Sequence, residues 1–425
     1  MFAHCSWRFT AFAAQRQWRH CSASGSKRQG RKCSAPNAKW RPKLLFLVTE
    51  DWYFCSHRLP VARAARDAGF EVVVATRVQA HGGQSSAEGF TLRPIAWRRR
   101  GDDLLGAGRA ISEIARLYRA ERPDLVHHVA LKPVLFGGFA RRLAFARSAD
   151  APVSVDSIMG LGSGFSAAGF AARLRRPSLG IALRLAVGGD RAWVVVQNPE
   201  DHVALAEFGI DPERIALIRG SGVDASRFAP LPEPNGETVT VALVSRMLRD
   251  KGVLDAVAAV RLLRARGLPI ELVLAGPTDP DNRGSLTSDS LYSLAAEPGI
   301  EWLGPVADVR TVWRRAAIAV LPSTYGEGVP KALIEAAACA RPIVATDVPG
   351  CREVVRRGET GILVPPHNVD ALAEAIAALA GDPARRGAMG RAGRRLIESD
   401  FAEEIVARRT LALYRAALAE RAAQR

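Results

Sequence analysis

Two glutamates, Glu327 and Glu335, stand eight positions apart in a segment whose residue types suit a charged, hydroxyl-rich ligand. Glu327 lies between two glycines, which let the backbone approach a ligand closely because they carry no Cβ. Residues 331–340 are rich in alanine, leucine and isoleucine and predict a helix that begins near Pro330. A helix N-terminus binds phosphate, and Glu335 would lie one to two turns into that helix. The spacing therefore indicates a site for a sugar nucleotide.

A second charged pair, Arg246 and Lys251, lies where a predicted strand ends and the next helix begins. Two cations beside a helix N-terminus can neutralise a diphosphate and stabilise it as it leaves a reacting sugar. The alternative is a surface arginine and lysine of the kind that any basic protein contains. The carboxylate of Glu335 further along the chain favours the ligand-binding interpretation.

The segment around the two glutamates resembles the glutamate-pair motif of glycosyltransferase family 4, with seven residues between the acids. Three further segments resemble parts of that family in the same order along the chain. Residues 220–224 resemble its interdomain turn, residues 245–252 its diphosphate-gripping segment, and residues 359–366 its strand-turn signature. The resemblance covers roughly residues 43–425. It implies an α/β protein with the GT-B fold, in which two Rossmann-like, doubly wound parallel-sheet domains enclose a cleft.

The resemblance also implies roles for individual residues. Glu327 is expected to contact hydroxyls of the transferred sugar, and Glu335 the ribose of the nucleotide. The expected catalytic residues are Glu327, Arg246, Lys251 and His127. The donor, expected to be a UDP-sugar, would be bound by Arg246, Lys251, Gly328, Val329 and Glu335. The implied reaction is a retaining transfer of a hexose or N-acetylhexosamine without a cofactor.

Asp279 and Asp281 have the acid-x-acid spacing of metal-dependent transferases. They stand beside the turn formers Asn282 and Gly284, so we predict a turn at this place. The arginine and lysine described above supply the charge that a metal would supply. We therefore expect no metal in the site.

The first half of the chain carries candidate residues for the acceptor, all placed at or after the ends of predicted strands. They are His57, His128, Lys132, Gly160 and Gly162. A histidine here either orients a substrate or is a satisfied structural residue, and both interpretations stay open for His127 and His128. Lys132 is a candidate for an acceptor phosphate. These segments resemble a narrower subgroup, which adds sugars to polyprenyl-diphosphate-linked glycans of O-antigen, capsule or glycoproteins.

Apolar runs typical of buried strands alternate with helical stretches in two successive halves, which is the rhythm of parallel α/β sheets. The predicted strands are 44–48, 72–75, 125–128, 153–155, 193–196, 239–244, 272–275, 300–303, 318–321 and 343–345. Residues 228–237 hold three prolines and predict a linker. We therefore predict an acceptor-side domain at 43–227, a donor domain at 238–400 and a final helix within 401–425 that crosses back to the first domain.

The net charge of +16 is concentrated at the N-terminus, where residues 1–43 hold ten lysines and arginines and no acidic residue. We interpret residues 1–42 as a disordered basic tail, or as sequence upstream of the folded unit. A nucleic-acid-binding protein is an alternative class, but the excess charge lies mostly in that tail and no nucleic-acid motif is recognised. A second alternative is a sugar-nucleotide epimerase of the same fold.

The six cysteines form no C-x-x-C pair, which argues against a zinc site and fits a reducing cytoplasm.

The sequence contains no run of about 18 apolar residues, so it predicts no transmembrane helix. Residues 169–187 mix apolar residues with four arginines, so they predict either a basic segment that lies on an anionic membrane or a core helix with solvated arginines. We expect a cytoplasmic protein, peripheral to the plasma membrane in the first case. Its expected partners are a nucleotide sugar and a glycan or lipid-linked acceptor, not nucleic acid.

Overall fold

Two parallel β-sheets, one in each half of the chain, form the framework of the protein. The computed structural model describes residues 41–97, 104–146, 148–160, 170–189, 191–325 and 328–424. In that part of the chain, no helix is long and apolar enough to span a membrane.

The first sheet, among the described residues, has seven parallel strands in the order β3-β2-β1-β4-β5-β6-β7. Its strands are β1 (Lys43–Glu50), β2 (Glu71–Arg77), β3 (Thr91–Pro94), β4 (Leu125–Val129), β5 (Val153–Ser157), β6 (Ala192–Val196) and β7 (Ile215–Leu217). Its α-helices are Asp51–His57, Leu59–Asp67, Gly82–Ala87, Leu104–Glu121, Leu131–Phe145, Phe170–Val187 and Pro199–Glu207.

The second sheet has six parallel strands over its described residues, in the order β10-β9-β8-β11-β12-β13. Its strands are β8 (Val239–Val244), β9 (Ile270–Ala275), β10 (Ile300–Trp302), β11 (Ile318–Leu321), β12 (Ile343–Thr346) and β13 (Gly361–Val364). Its α-helices are Val253–Ala265, Ser288–Ala295, Arg310–Arg315, Lys331–Ala338, Pro349–Arg352, Val369–Ala380 and Pro383–Leu396, and the chain ends with Glu403–Ala423.

Both sheets reverse their strand order beside their first strand, because β1 lies between β2 and β4, and β8 between β9 and β11. In doubly wound sheets, ligands bind outside the carboxyl ends of the strands at such a switch point. The predicted fold class is confirmed by this topology. It places the loops after β1, β4, β8 and β11 where a ligand is expected.

The apolar runs missed β13, which the strand-turn resemblance at 359–366 covers, and nothing predicted two further strands, β3 and β7. They are the outer strands of the first sheet and have only four and three residues. Each is only partly buried, so neither shows the continuous apolar run by which the central strands were recognised. The central strands β1 and β4 are almost wholly buried because helices cover both faces.

The final helix, Glu403–Ala423, packs against the first half of the chain although it follows the second sheet in sequence. Its main neighbour there is the helix Leu59–Asp67. Arg421 donates a hydrogen bond of 2.8 Å to the carbonyl oxygen of Asp124. Tyr414 is completely buried in the same interface. The helix therefore completes the core of the first domain.

The hydroxyl of Tyr414 forms a buried hydrogen bond with Nδ1 of His127 on β4. We expect Tyr414→Phe to leave that ring nitrogen without its partner and to lower the free energy of unfolding by about 1–3 kcal/mol. Urea denaturation at neutral pH measures the change. Tyr292→Phe is the matched control, because Tyr292 is 65% exposed and should change little. Equal unfolding midpoints for the two variants would contradict this account of the buried bond.

Candidate functional site

The helix Lys331–Ala338 carries Glu335 into the cleft between the two sheets. The helix begins directly after Pro330, and Leu333 and Ile334 bury its inner face. The Glu335 side chain is only 12% exposed, and its nearest cation is the Lys331 ammonium, 3.8 Å away. Burial raises the pKa of Glu335 to about 7, against the opposing charges of Lys331 and Arg227. A carboxyl group with this pKa changes charge near neutrality.

The two predicted diphosphate-binding cations lie at the carboxyl end of β8. Arg246 follows that strand, and its guanidinium forms an ion pair with Asp279, which follows the neighbouring strand β9. Lys251 ends a short 3-10 turn and is 9% exposed, with its ammonium 5.8 Å from the centre of the Tyr325 ring. Both side chains are thus held by protein groups near the switch point of the second sheet.

Asp279 does two things in the structure. Its carbonyl oxygen accepts a 2.7 Å hydrogen bond from the Asn282 N–H, so the predicted turn is confirmed. Its carboxylate also pairs with Arg246, which sequence reasoning did not foresee. An anionic ligand that approaches Arg246 therefore meets a guanidinium whose charge is already paired and whose position is already fixed.

A cavity of about 560 Å³ opens between the two domains. The first domain lines it with Trp52 and Ser56, and the second with Ser245, Lys331 and Glu335. A further wall consists of the stretch from Pro305 to Val309. The cavity is large enough for a drug-sized organic ligand. It brings Glu335 and the segments that follow β1 and β8 to one place.

His57 lies at the edge of this arrangement, at the end of the helix Asp51–His57. Its ring stacks on Tyr53 with centroids 4.1 Å apart, and its Nδ1 atom is 2.6 Å from the Ser56 hydroxyl. Burial, with the cations Lys331 and Arg58 beside it, holds the pKa of His57 well below its usual value. The ring is therefore neutral at pH 7 and can act as a hydrogen-bonding group.

His127 and His128 differ from their predicted places near the acceptor. Both lie within β4 and are buried, at 1% and 0% exposure. Successive strand residues point to opposite faces of the sheet. His127 is hydrogen-bonded to Tyr414 and Ser157 on one face. His128 is hydrogen-bonded to Tyr118 and Asp156 on the other. Both ring nitrogens of each histidine are hydrogen-bonded inside the domain. Both rings match the structural interpretation, which corrects the catalytic role expected of His127 and the acceptor role expected of His128.

The remaining predicted acceptor residues have different environments. The Lys132 ammonium lies over the Phe136 and Trp97 rings, 5.2 Å and 5.9 Å from their centres. Gly160 has a φ of +92°, a conformation that side chains rarely adopt. Gly162 lies outside the described residues, as does Glu327, the predicted catalytic acid. Among the described residues, no three His, Cys, Asp or Glu side chains cluster as metal ligands would.

Gly328 and Val329 turn their backbone N–H groups toward the first domain. The Gly328 N–H donates to the Met159 carbonyl oxygen at 3.2 Å. The Val329 N–H donates to the side-chain oxygen of Gln197 at 2.8 Å. Gly328 and Val329 were predicted to bind the donor, but in this structure their N–H groups hold the two domains together.

Two family profiles match the chain, one on each sheet. The profile for "Glycosyl transferase 4-like" matches residues 43–177, and the profile for "Glycosyl transferases group 1" matches residues 238–382. The chain belongs to the family 4 glycosyltransferases. The predicted resemblance is thereby confirmed, and both sheet-bearing halves are typical of the family.

Curated relatives of this family 4 chain match it over part of their length. The alpha-maltose-1-phosphate synthase of Mycolicibacterium smegmatis is 33% identical over 249 residues, which cover 53% of this chain and 63% of that protein. The capsular polysaccharide biosynthesis glycosyltransferase CapM of Staphylococcus aureus is 27% identical over 184 residues, which cover 43% of this chain and 48% of that protein. The matched segments thus span about half to two-thirds of these relatives.

A solved structure of HepE from Anabaena, in complex with UDP-glucose, has a similar fold. The TM-score is 0.68 with 17% sequence identity, over 88% of this chain and 99% of that chain. At this identity the likeness shows the fold alone. It agrees with the GT-B architecture of two parallel sheets and a cleft.

Three residues were not predicted from the sequence: Arg227 and Lys331, which line the cavity, and Gln197, which accepts the Val329 N–H beside it. The lysine stands four positions before Glu335, a spacing that places both on one helix face and was a usable signal. Gln197 directly follows a strand, where ligand-side residues of parallel sheets collect. Arg227 has no such local signal, because it reaches the site only through the connection between the domains.

The raised pKa of Glu335 predicts how the free energy of unfolding changes with pH. The folded carboxyl titrates near 7 and the unfolded one near 4.5, so the folded state binds a proton more tightly. The stabilisation by this proton is complete below pH 4.5 and is lost as the pH rises through 7. We expect Glu335→Gln to exceed the wild type in free energy of unfolding by up to about 3 kcal/mol at pH 8, with a smaller difference at pH 5.

Urea denaturation of both proteins between pH 5 and 8.5 measures this difference. Glu237→Gln, at an exposed position of the interdomain connection, is the matched control and should follow the wild type. A difference between Glu335→Gln and the wild type that stays constant with pH would count against a raised pKa.

Proposed function

We propose that this protein transfers a hexose or N-acetylhexosamine from a nucleoside diphosphate sugar to a glycan or polyprenyl-diphosphate-linked acceptor. The observation that carries the proposal is the buried Glu335 carboxylate in a cavity of about 560 Å³ between two parallel-sheet domains. Arg246 and Lys251 stand at the carboxyl end of the adjacent strand β8. Carboxylate and cations together suit the ribose and the diphosphate of one ligand.

Relatives support the finer parts of the proposal. HepE was solved with UDP-glucose, which favours UDP as the nucleotide of the donor. The name of CapM assigns that relative to capsular polysaccharide synthesis, which favours a cell-surface glycan as product. Glu335 would accept hydrogen bonds from the ribose hydroxyls, and Glu327 would contact the transferred sugar.

The proposed reaction breaks the bond between the anomeric carbon and the diphosphate oxygen. Negative charge collects on the departing diphosphate, and Arg246 and Lys251 stabilise it without a metal ion. Arg246 would exchange its contact with Asp279 for one with the diphosphate. The acceptor hydroxyl attacks from the side that the diphosphate leaves, and its proton passes to the diphosphate, so the configuration is retained.

The test uses a panel of UDP-, GDP- and ADP-sugars, with release of the nucleoside diphosphate as the readout. We expect Arg246→Ala and Lys251→Ala each to lower turnover by about 10²–10³-fold, the usual effect of removing one group that stabilises developing charge. Arg249→Ala is the matched control, since this exposed arginine belongs to the same turn as Lys251. Near-wild-type rates in Arg246→Ala or Lys251→Ala would refute the proposed roles.

Product analysis separates the transferase from the alternative on the same fold. An epimerase would convert the sugar nucleotide without any acceptor and would release a changed sugar or its nucleotide. Transfer of the labelled sugar to a glycan or lipid-linked acceptor supports the transferase. Absence of transfer together with an isomerised product would favour the epimerase.

We further propose that the first domain contacts an anionic membrane surface, where a lipid-linked acceptor would lie. Ile181, Arg184 and Leu185 are exposed on one face of the helix Phe170–Val187, with the two apolar side chains 58% and 51% exposed. Leu143, 52% exposed, lies on the helix Leu131–Phe145, which packs against it. Exposed apolar side chains beside arginines suit the interface of a negatively charged bilayer.

We expect Ile181→Asp/Leu185→Asp to abolish sedimentation with phosphatidylcholine vesicles that contain phosphatidylglycerol. The two new carboxylates would remove apolar contact and add repulsion at the membrane surface. Tyr292→Asp, at an exposed apolar position of the second domain, is the control and should sediment like the wild type. Failure of the wild type to bind these vesicles at low salt would remove the membrane proposal.

A further inference from the structure

Residues at the carboxyl ends of the neighbouring strands β5 and β6 form hydrogen bonds with the second domain. Met159 lies two residues beyond β5, and Gln197 directly follows β6. Their oxygens accept the N–H groups of Gly328 and Val329 across the cleft. Gln197 is 2% exposed, so its hydrogen bond with Val329 is shielded from water. A buried hydrogen bond of this kind fixes position more firmly than an exposed one.

The approach at this point is close enough to require glycine. A Cβ at residue 328 would overlap the Gln197 side-chain oxygen and would lie 2.9 Å from the Met159 carbonyl oxygen. The φ of Gly328 is not in the left-handed region, so the requirement comes from space and not from backbone conformation. The two domains therefore interlock at residue 328.

Two residues after Val329, Lys331 makes a further contact with the first domain. The Lys331 ammonium donates to the Ser56 carbonyl oxygen and also lies 3.8 Å from the Glu335 carboxylate. The segment 328–331 thus meets the first domain at three points and leads directly into the helix that bears Glu335. Moving this segment would move Glu335 with it.

Gln197 does not itself reach the cavity. Its side chain and Val329 lie outside the cavity wall, whereas Ser56, Lys331 and Glu335 form part of it. Its effect on a bound ligand must therefore be transmitted through the segment 328–331. That distinguishes Gln197 from the residues that would touch the donor.

We propose that Gln197 is a positioning residue that couples the approach of the two domains to the placement of the donor-binding groups after Gly328. The inference rests on the proposed function and adds a specific residue to it. When the amide oxygen accepts the Val329 N–H, Lys331 and Glu335 face the cavity. Without this acceptor the second domain still binds the nucleotide, but the sugar lies displaced from the groups of the first domain with which it must react.

The experiment compares Gln197→Met, which keeps the length but removes the acceptor, with Gln197→Glu, which keeps an oxygen at the same reach. The readouts are binding of the free nucleoside diphosphate by calorimetry and turnover of the most active nucleotide sugar of the panel. For Gln197→Met we expect nucleotide affinity within about 3-fold of wild type and turnover lowered by about 10–100-fold, as for a small misplacement of reacting groups.

Gln197→Glu is expected to recover most of the turnover, which a purely structural role would not require. Gln424→Met, at the end of the final helix, is the matched control and should behave as wild type. If Gln197→Met does not fold, Gly328→Ala serves instead, because its Cβ would push the segment away from the Gln197 oxygen. Wild-type turnover in that variant would overturn the inference.

The outcomes separate this inference from the proposed function. A wild-type protein that neither binds a nucleoside diphosphate nor turns over any sugar of the panel would overturn both. An active wild type with a fully active Gln197→Met variant would overturn the positioning role alone. Equal losses in the Met and Glu variants would also overturn it, since the acceptor would then not be the group that matters.

Discussion

The cleft depends on how closely the chain around Gly328 approaches the ends of β5 and β6. Backbone N–H groups on one side and oxygens of Met159 and Gln197 on the other form hydrogen bonds with no room for a side chain at residue 328. The position of Glu335 follows from this contact, because its helix begins three residues later. The cavity is thus shaped by an interdomain contact as much as by either sheet.

Charged side chains of the cleft are arranged in pairs. Arg246 is held by Asp279, and Glu335 lies beside Lys331. A buried charge without a partner is costly, so these pairs keep the cations and the acid in place before a ligand arrives. A diphosphate carries more negative charge than one carboxylate, which favours its exchange for Asp279. Such an exchange requires little reorganisation of the guanidinium.

The sequence predicted the features that depend on neighbours along the chain. Apolar runs located the central strands, and the position of Glu335 shortly after a helix start pointed to a residue that lines the cavity. The features that were not predicted depend on partners that lie far away in the sequence. His127 is satisfied by a tyrosine 287 positions away, and Val329 by a glutamine 132 positions away. A polar residue in a buried strand gives no local sign of such a partner, so the sequence could not decide between the structural and the substrate-binding interpretation of the two histidines of β4.

The position of the final helix, Glu403–Ala423, has a consequence for folding during translation. It supplies core residues to the first domain, yet the ribosome makes it after the whole second domain. A nascent chain that has completed β1 to β7 therefore exposes the apolar groove meant for this helix, and His127 waits without the Tyr414 hydroxyl. The first domain therefore cannot bury this part of its core until the helix Glu403–Ala423 has been made.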